Sequence, residues 1–315
     1  MDYSFRVSAG GTALWYGWFE AMHTRMDLLL TGLPESEALA AAEAVRAETV
    51  RLESRFNRFD RRSDLWRINR TSGSGPIPLD GEWLSVFDEA ERCRQLTGGW
   101  FDIAVRTPDH SRGGETYRVD SDRRELVRLR EGLVFDFGGY AKGYALERAE
   151  RIVRRAGVEN GMISFGNSSV CCLGRHPAGE CWRVGVENPL DRRPLVFFDL
   201  RDAALSSSGN NGRNDGHILA VGEGRGVTRP AIVSVAAPSP LACEVLSTAL
   251  FASLDGADDG ERRRMLAAFG AQRAVRMDYG SGEGVCELLT KEGFPAMGAG
   301  GGVRRSVFFR IWSCH

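Results

Sequence analysis

The stretch Val134–Gly157, VFDFGGYAKGYALERAERIVRRAG, sets an acid, a glycine pair and a lysine just ahead of a long helical pattern. A strand-like LVFDF runs into Gly138-Gly139, and a helix begins within a few residues. Backbone amides at a helix start favour anions, and glycines let a phosphate approach the chain closely. Asp136, at the strand end, is placed to accept hydrogen bonds from a base or a ribose. Lys142 is placed to meet a phosphate or to pair with Asp136. Taken alone, the same residues also describe a tightly packed helix start with an ordinary salt bridge.

Several neighbouring matches carry no chemistry. Asp136-Phe137-Gly138 spells a kinase metal-binding triplet, but no HRD catalytic loop lies upstream. The glycine run Gly298-Ala299-Gly300-Gly301-Gly302 precedes a strand-like VFFRIW rather than the helix a dinucleotide fingerprint requires. There is no phosphate-loop pattern, and no serine sits in a G-x-S-x-G turn.

The elements that must position the first stretch are legible in hydrophobic spacing. Between Glu35 and Phe59, the residues Leu39, Ala42, Val45, Thr49, Leu52 and Phe56 recur at helical steps. Trp83, Phe87, Ala90 and Cys93 do the same in a second helix that ends at Gly98-Gly99. Ala145, Ala149, Ile152, Val153 and Ala156 mark a third, capped by Gly157. Two more run from about 239 to 254 and from 260 to 269. Strand candidates are MDLLLTG, GMISFG, SVCCLG, WRVGVEN, LVFFDL, AIVSVAA, AVRMDY and VFFRIW, several of them alternating as half-exposed antiparallel strands do. ENPLDRRP and SSSGNNGRNDG read as turns. Helices gather early and strands gather in the middle and end, an α+β arrangement in one compact unit.

Bulk properties narrow the function. Of 315 residues 43% are hydrophobic and 26% charged, ordinary for a soluble globular chain. The 41 basic and 42 acidic residues leave a net charge of −1, so no global field gathers nucleic acid or a membrane surface. Seven cysteines without a Cys-x-x-Cys pair argue for reduced thiols in a cytoplasmic protein, not a zinc or redox centre. The first residues lack a basic region followed by an apolar run, and no stretch is apolar enough to span a bilayer. The sequence leaves open an export signal or lipid anchor upstream of residue 1.

The opening segment resembles the Asp-x-Gly-Gly-x-Ala-Lys-Gly-Tyr signature of the FAD:protein FMN transferases, the ApbE family. Other blocks follow in that family's order: FEAMHT as its early methionine-threonine strand, RFNRFDRRSDLWRIN, TGGWFDIAV, ISFGNSSVCCLG, SSSGNN, HIL and the helix LACEVLSTALF. Together they span residues 19 to about 255. The resemblance implies a single α+β domain of the T-fold type, antiparallel-rich, with residues 1–18 as an N-terminal extension and 19–310 as the core. It also implies Mg²⁺-dependent cleavage of FAD, as substrate, with FMN passed to a Thr or Ser hydroxyl of a partner protein and AMP released. Carried over residue by residue, flavin contacts fall on Met22, Phe59, Trp100, Phe101, Asp102, Asp136, Lys142, His217 and Ile218, with core packing the plain alternative for Met22, Phe59 and Phe101. The metal falls on Glu244, Thr248 and the carbonyl of Gly139; Glu244 and Thr248, four apart, share a helix face, and an acid with a hydroxyl suits a hard cation. His217 is the candidate for orienting or deprotonating the acceptor hydroxyl.

Four departures qualify the resemblance. Ala220-Val221 replaces the Asp-Pro expected after His-Ile, Glu244 replaces an aspartate, Phe59 replaces a tyrosine, and Gly166-Asn167-Ser168 replaces Gly-Gly-Asn. Rival readings therefore stay open: FAD binding without transfer, hydrolysis of FAD to FMN and AMP, or a scaffold without flavin.

Overall fold

The computed structural model describes residues 1–8, 10–71, 75–166, 168–210, 215–222, 224–279, 284–290 and 309–311. The first half runs β1 (Asp2–Val7), β2 (Ala13–Ala21), β3 (Thr24–Thr31), α1 (Glu35–Phe56), α2 (Asp64–Arg70), β4 (Ile77–Pro78), α3 (Gly81–Leu96), β5 (Tyr117–Asp120), β6 (Glu125–Arg128) and α4 (Ala141–Arg155). Then come β7 (Gly161–Phe165), β8 (Ser169–Leu173), β9 (Trp182–Glu187), β10 (Pro194–Leu200), β11 (Ala203–Gly209), β12 (Ala231–Ala237), α5 (Pro240–Ala252), α6 (Asp259–Ala268), β13 (Arg273–Asp278), β14 (Gly284–Thr290) and β15 (Phe309–Ile311). Asn167, Asn211 and the glycine run at 298–302 lie outside the described residues.

Nine strands form one sheet in the order β1-β2-β3-β7-β8-β11-β12-β13-β14, every neighbour antiparallel. Strands β7, β8, β11 and β12 are buried along their whole length. The cause is cover on both faces. Ile163, Phe165, Cys171, Val233 and Val235 join the core beneath the helices, whereas Met162, Val170, Cys172, Leu205 and Ile232 pack under Trp182, Val184 and Phe198 of the small β9–β10 sheet. A strand buried on both sides loses its polar alternation, which is why GMISFG and SVCCLG read as continuous apolar runs. The antiparallel-rich α+β arrangement agrees with the fold class expected from the sequence.

Several local expectations are corrected. Residues 1–18 are not an appendage: β1 and β2 extend the main sheet, and Trp15 is buried within it. FEAMHT is a strand end and hairpin turn, with Met22 and His23 both at positive φ between the paired Ala21 and Thr24. LVFDF forms no strand. Its backbone is held instead by side chain and loop, Asn69 bonding both the N–H and the carbonyl of Phe135 and the Ile103 carbonyl accepting from Asp136 N–H. Ser206, Ser207 and Ser208 are not a turn but belong to β11.

Helices α4 and α5 lie side by side on the sheet, and their contact is set by one residue. A Cβ on Gly143 would fall 2.7 Å from Glu244 Cβ, 2.8 Å from Leu241 Cα and 3.0 Å from the Pro240 carbonyl. Two of those atoms are backbone, so relief would require moving a helix. Gly143→Ala gains up to about 1 kcal/mol of helix propensity but overpacks this contact by about 1–3 kcal/mol, so net destabilisation is expected in urea unfolding. Gly81→Ala, where nothing lies within 4 Å, should change stability by no more than about 0.5 kcal/mol. Equal stability of the two variants would mean that α4 and α5 are loosely packed.

Candidate functional site

A cleft of about 420 Å³ opens at the first turn of α4. Its lining includes Phe59, Trp100, Phe101, Asp102, Asp136, Gly139, Lys142, His217, Ile218, Glu244 and Thr248, so all but one of the site residues expected from the sequence converge there. The exception is Met22, which sits in the β2–β3 turn, packs against the core and does not line the cleft.

Helix packing makes the polar corner. Because Gly143 lets α4 touch α5, Lys142 reaches Glu244 Oε1, and the two form an ion pair. Lys142 therefore does not pair with Asp136, the partner its position in sequence suggested. Glu244 is 2% exposed, and its Oε2 accepts from Ser169 Oγ at 2.6 Å and Ser206 Oγ at 2.8 Å. Burial pushes its pKa up, but the Lys142 charge and the hydrogen bonds from Lys142, Ser169 and Ser206 outweigh it and hold the carboxyl below its ordinary value. One turn later on α5, Thr248 meets the glycine pair. A Cβ on Gly139 would lie 2.9 Å from Thr248 Oγ1, so only glycine lets this backbone lie against the hydroxyl. A chain of hydroxyls joins the two α5 groups: Ser206, then Ser247 at 3.4 Å, Ser208 at 2.9 Å and Thr248 at 3.3 Å.

The aromatic wall is built by the turn after α3. Gly98 and Gly99 take positive φ, reversing the chain so that Trp100 and Phe101 face inward. Trp100 is clamped between the Arg112 guanidinium, 4.4 Å from its ring centre, and the backbone at Gly256. Its indole N–H is buried without a hydrogen-bond partner among the described residues. Asp102 is engaged from behind, accepting from Ala104 N–H at 2.7 Å and bonding His110 Nε2 at 2.9 Å. Phe59 stands at the lip, 71% exposed, with the Arg58 guanidinium 4.1 Å from its ring centre. His217 is exposed at the same opening, and Ile218 and Leu219 continue into a small hairpin closed by the Leu219–Gly226 bridge.

Among the charged lining residues, sequence reasoning missed Arg58 and Arg106, which both reach Asp136. A signal existed: Arg58 lies inside one matched block, and Arg106 directly follows another.

Chemically, the cleft joins aromatic side chains to three cationic ones and to a corner where the Glu244 carboxylate, the Thr248 hydroxyl and the Gly139 backbone all line the space. Among the described residues no three His, Cys, Asp or Glu side chains gather into a metal cage. The Gly139–Thr248–Glu244 corner offers oxygen donors, the ligand type a hard cation prefers.

Since the folded chain holds the Glu244 proton more weakly than an unfolded one, Glu244 adds stability above the ordinary glutamate value of 4.5 and loses it as pH falls below that value. Glu244→Gln should therefore cost about 1–3 kcal/mol at neutral pH, and the gap from the parent chain should close as pH drops toward about 3. Urea titrations without metal read this directly; a gap independent of pH contradicts a charged Glu244.

The geometry agrees with what known proteins resemble. The ApbE family model matches residues 22–262. The FAD:protein FMN transferase of Vibrio cholerae is 26% identical over 292 residues, covering 81% of this chain and 85% of that protein. The protein of the same name from Salmonella typhimurium is 24% identical, covering 66% and 69%. Among solved structures, the flavin transferase ApbE from Vibrio cholerae aligns with a TM-score of 0.74 at 19% identity, over 89% of this chain and 97% of that one. The ApbE protein of Thermotoga maritima aligns equally well at 22% identity, with the same coverage. With the match running from the β2–β3 turn through α5, and with the cleft assembled from its blocks, the chain belongs to the ApbE family.

Proposed function

We propose that this chain cleaves FAD and transfers FMN, through a phosphoester, to a Thr or Ser hydroxyl of a partner protein, releasing AMP, with Mg²⁺ as the required cation. The observation that carries this reading is the meeting of Gly139, Thr248 and Glu244 at one end of a cleft walled by Trp100 and Phe101. The names of the relatives support it. The unpartnered Trp100 N–H and the aromatic surface suit a flavin or adenine ring.

Glu244, Thr248 and the Gly139 carbonyl would hold the Mg²⁺, which would supply a Lewis acid to offset negative charge on the phosphates. The chain's own residues supply the rest. Ser169 and Ser206 both donate to Glu244 Oε2 and fix the carboxylate's orientation, with Oε1 left to Lys142. Lys142 lines the cleft with its ammonium already at Glu244, within reach of an incoming phosphate oxygen. The acceptor hydroxyl oxygen bonds to the FMN-side phosphorus, the bond from that phosphorus to the bridging oxygen breaks, and AMP leaves with the electron pair. His217, exposed at the opening where an acceptor enters, takes the hydroxyl proton.

Incubating the chain with FAD, Mg²⁺ and an acceptor domain should give a fluorescent acceptor band after denaturation and an equal amount of AMP. AMP with free FMN and no labelled acceptor marks a hydrolase instead, and FAD held without either product marks a binding protein. Under the transferase reading, His217→Ala lowers the transfer rate by about a hundredfold or more while FAD affinity stays within a fewfold of the parent. Equal loss of FAD binding removes His217 from proton transfer.

A further inference from the structure

Asp136 is the most heavily engaged acid exposed to the cleft. Its Oδ1 accepts from Gly138 N–H at 2.9 Å, while Oδ2 receives Arg58 Nε at 3.3 Å and Arg106 Nε in a short contact. Both oxygens are thus committed, and the carboxylate is poorly placed to read a base or ribose as its sequence position suggested. The arginines are in the opposite condition. Each uses its Nε on Asp136, and the only further hydrogen bond among the described residues is a long one from Arg106 Nη2 to the His217 carbonyl at 3.4 Å. Both side chains line the cleft, at 27% and 30% exposure. Two guanidiniums on one carboxylate leave an excess positive charge beside a cleft whose other acids, Asp102 and Glu244, already have partners.

We propose that Arg58 and Arg106 form a phosphate clamp for the FAD diphosphate, with Asp136 as the positioning residue that aims both guanidiniums. The inference rests on the flavin-nucleotide reading of this cleft and adds the groups that grip the end of the diphosphate away from the Gly139–Thr248 corner. Guanidinium suits this task because its planar fork matches two phosphate oxygens at once, whereas an ammonium offers only a point charge. Pinning by Asp136, and for Arg58 by the Phe59 ring, removes side-chain freedom before the ligand arrives.

The test compares ligands that differ only by phosphate: AMP against adenosine, and FMN against riboflavin. Both pairs are titrated into the parent chain, Arg58→Gln, Arg106→Gln, Arg106→Lys and Asp136→Asn, with thermal unfolding followed in parallel. In the parent at least one pair shows the phosphorylated member bound more tightly. Each Gln variant reduces that preference about tenfold to a hundredfold while adenosine and riboflavin affinities stay unchanged; Arg106→Lys falls between, and Asp136→Asn weakens the preference less than either Gln variant. The pair that responds tells whether the clamp holds the AMP or the FMN phosphate. The proposal is overturned if the preference survives in both Gln variants, or if nucleoside and nucleotide lose affinity equally, as a purely structural role for the arginines requires. Gln variants that still bind FAD and keep the parent's phosphate preference sink the clamp alone. A parent chain that binds none of these ligands sinks both the clamp and the flavin reading.

Discussion

The contact between α4 and α5 at Gly143 is the constraint on which the site depends. Helices whose axes are held apart by ordinary side chains cannot bring backbone to backbone, and only a missing Cβ allows the approach seen here. From that single contact two others follow. One residue earlier, Lys142 is carried to Glu244; one turn earlier, the glycine pair is carried to Thr248. The positions of the Glu244 carboxylate, the Thr248 hydroxyl and the Gly139 backbone against it are therefore set by helix packing. Sites on rigid elements hold their geometry more closely than sites on loops, and chemistry at a diphosphate is largely a matter of position and charge.

Charge in the cleft is balanced locally. Glu244 is the deepest acid, and an isolated carboxylate there would take up a proton instead of ionising. Lys142 and two serines keep it charged, and the serines come from β8 and β11, so the sheet and both helices contribute to one carboxylate. Asp102 bonds His110, and Asp136 meets the two arginines. Every acid lining the cleft among the described residues has a partner, and beside them the cleft carries the cationic side chains of Lys142, Arg58 and Arg106. An anionic aromatic molecule is what such a surface complements.

How much of this was readable beforehand depended on range. The helices announced themselves because burial of one face imposes a local period, and Val45, Thr49, Leu52 and Phe56 all lie inward as that period required. Helix α2 was missed because seven residues are too few to establish one. Ser206 to Ser208 looked like a turn because small polar residues favour turns, yet here the hydroxyls find Glu244, Ser247 and Ser234 across a covered sheet, which no local pattern encodes. LVFDF looked like a strand for the converse reason: its alternation is real, with Leu133, Phe135 and Phe137 buried, but its hydrogen bonds go to Asn69 and Ile103 instead of a neighbouring strand. Eleven of the expected site residues came together because a motif match carries tertiary information that periodicity lacks. Met22 did not, since a two-residue hairpin turn points it to the core edge.

The departures from the family pattern can now be placed by depth. Glu244 is buried and its Cβ lies against Gly143, so the extra methylene extends the carboxylate away from α5 toward the strands, where Ser169 and Ser206 receive it. The substitution is absorbed by the sheet, which keeps the negative charge but moves the oxygens toward the strands. Phe59 keeps an aromatic ring at the lip and loses only a hydroxyl, while Arg58 holds the ring in place. Ala220 and Val221 are different in kind. Val221 is 8% exposed and lines the cleft, so the wall that the family gives an acid and a proline is apolar here, shaped by the Leu219–Gly226 bridge and by the hydrogen bond from Ala220 N–H to the Arg225 carbonyl. Change is thus absorbed at the oxygen corner and left standing at the mouth, where the hairpin alone carries it.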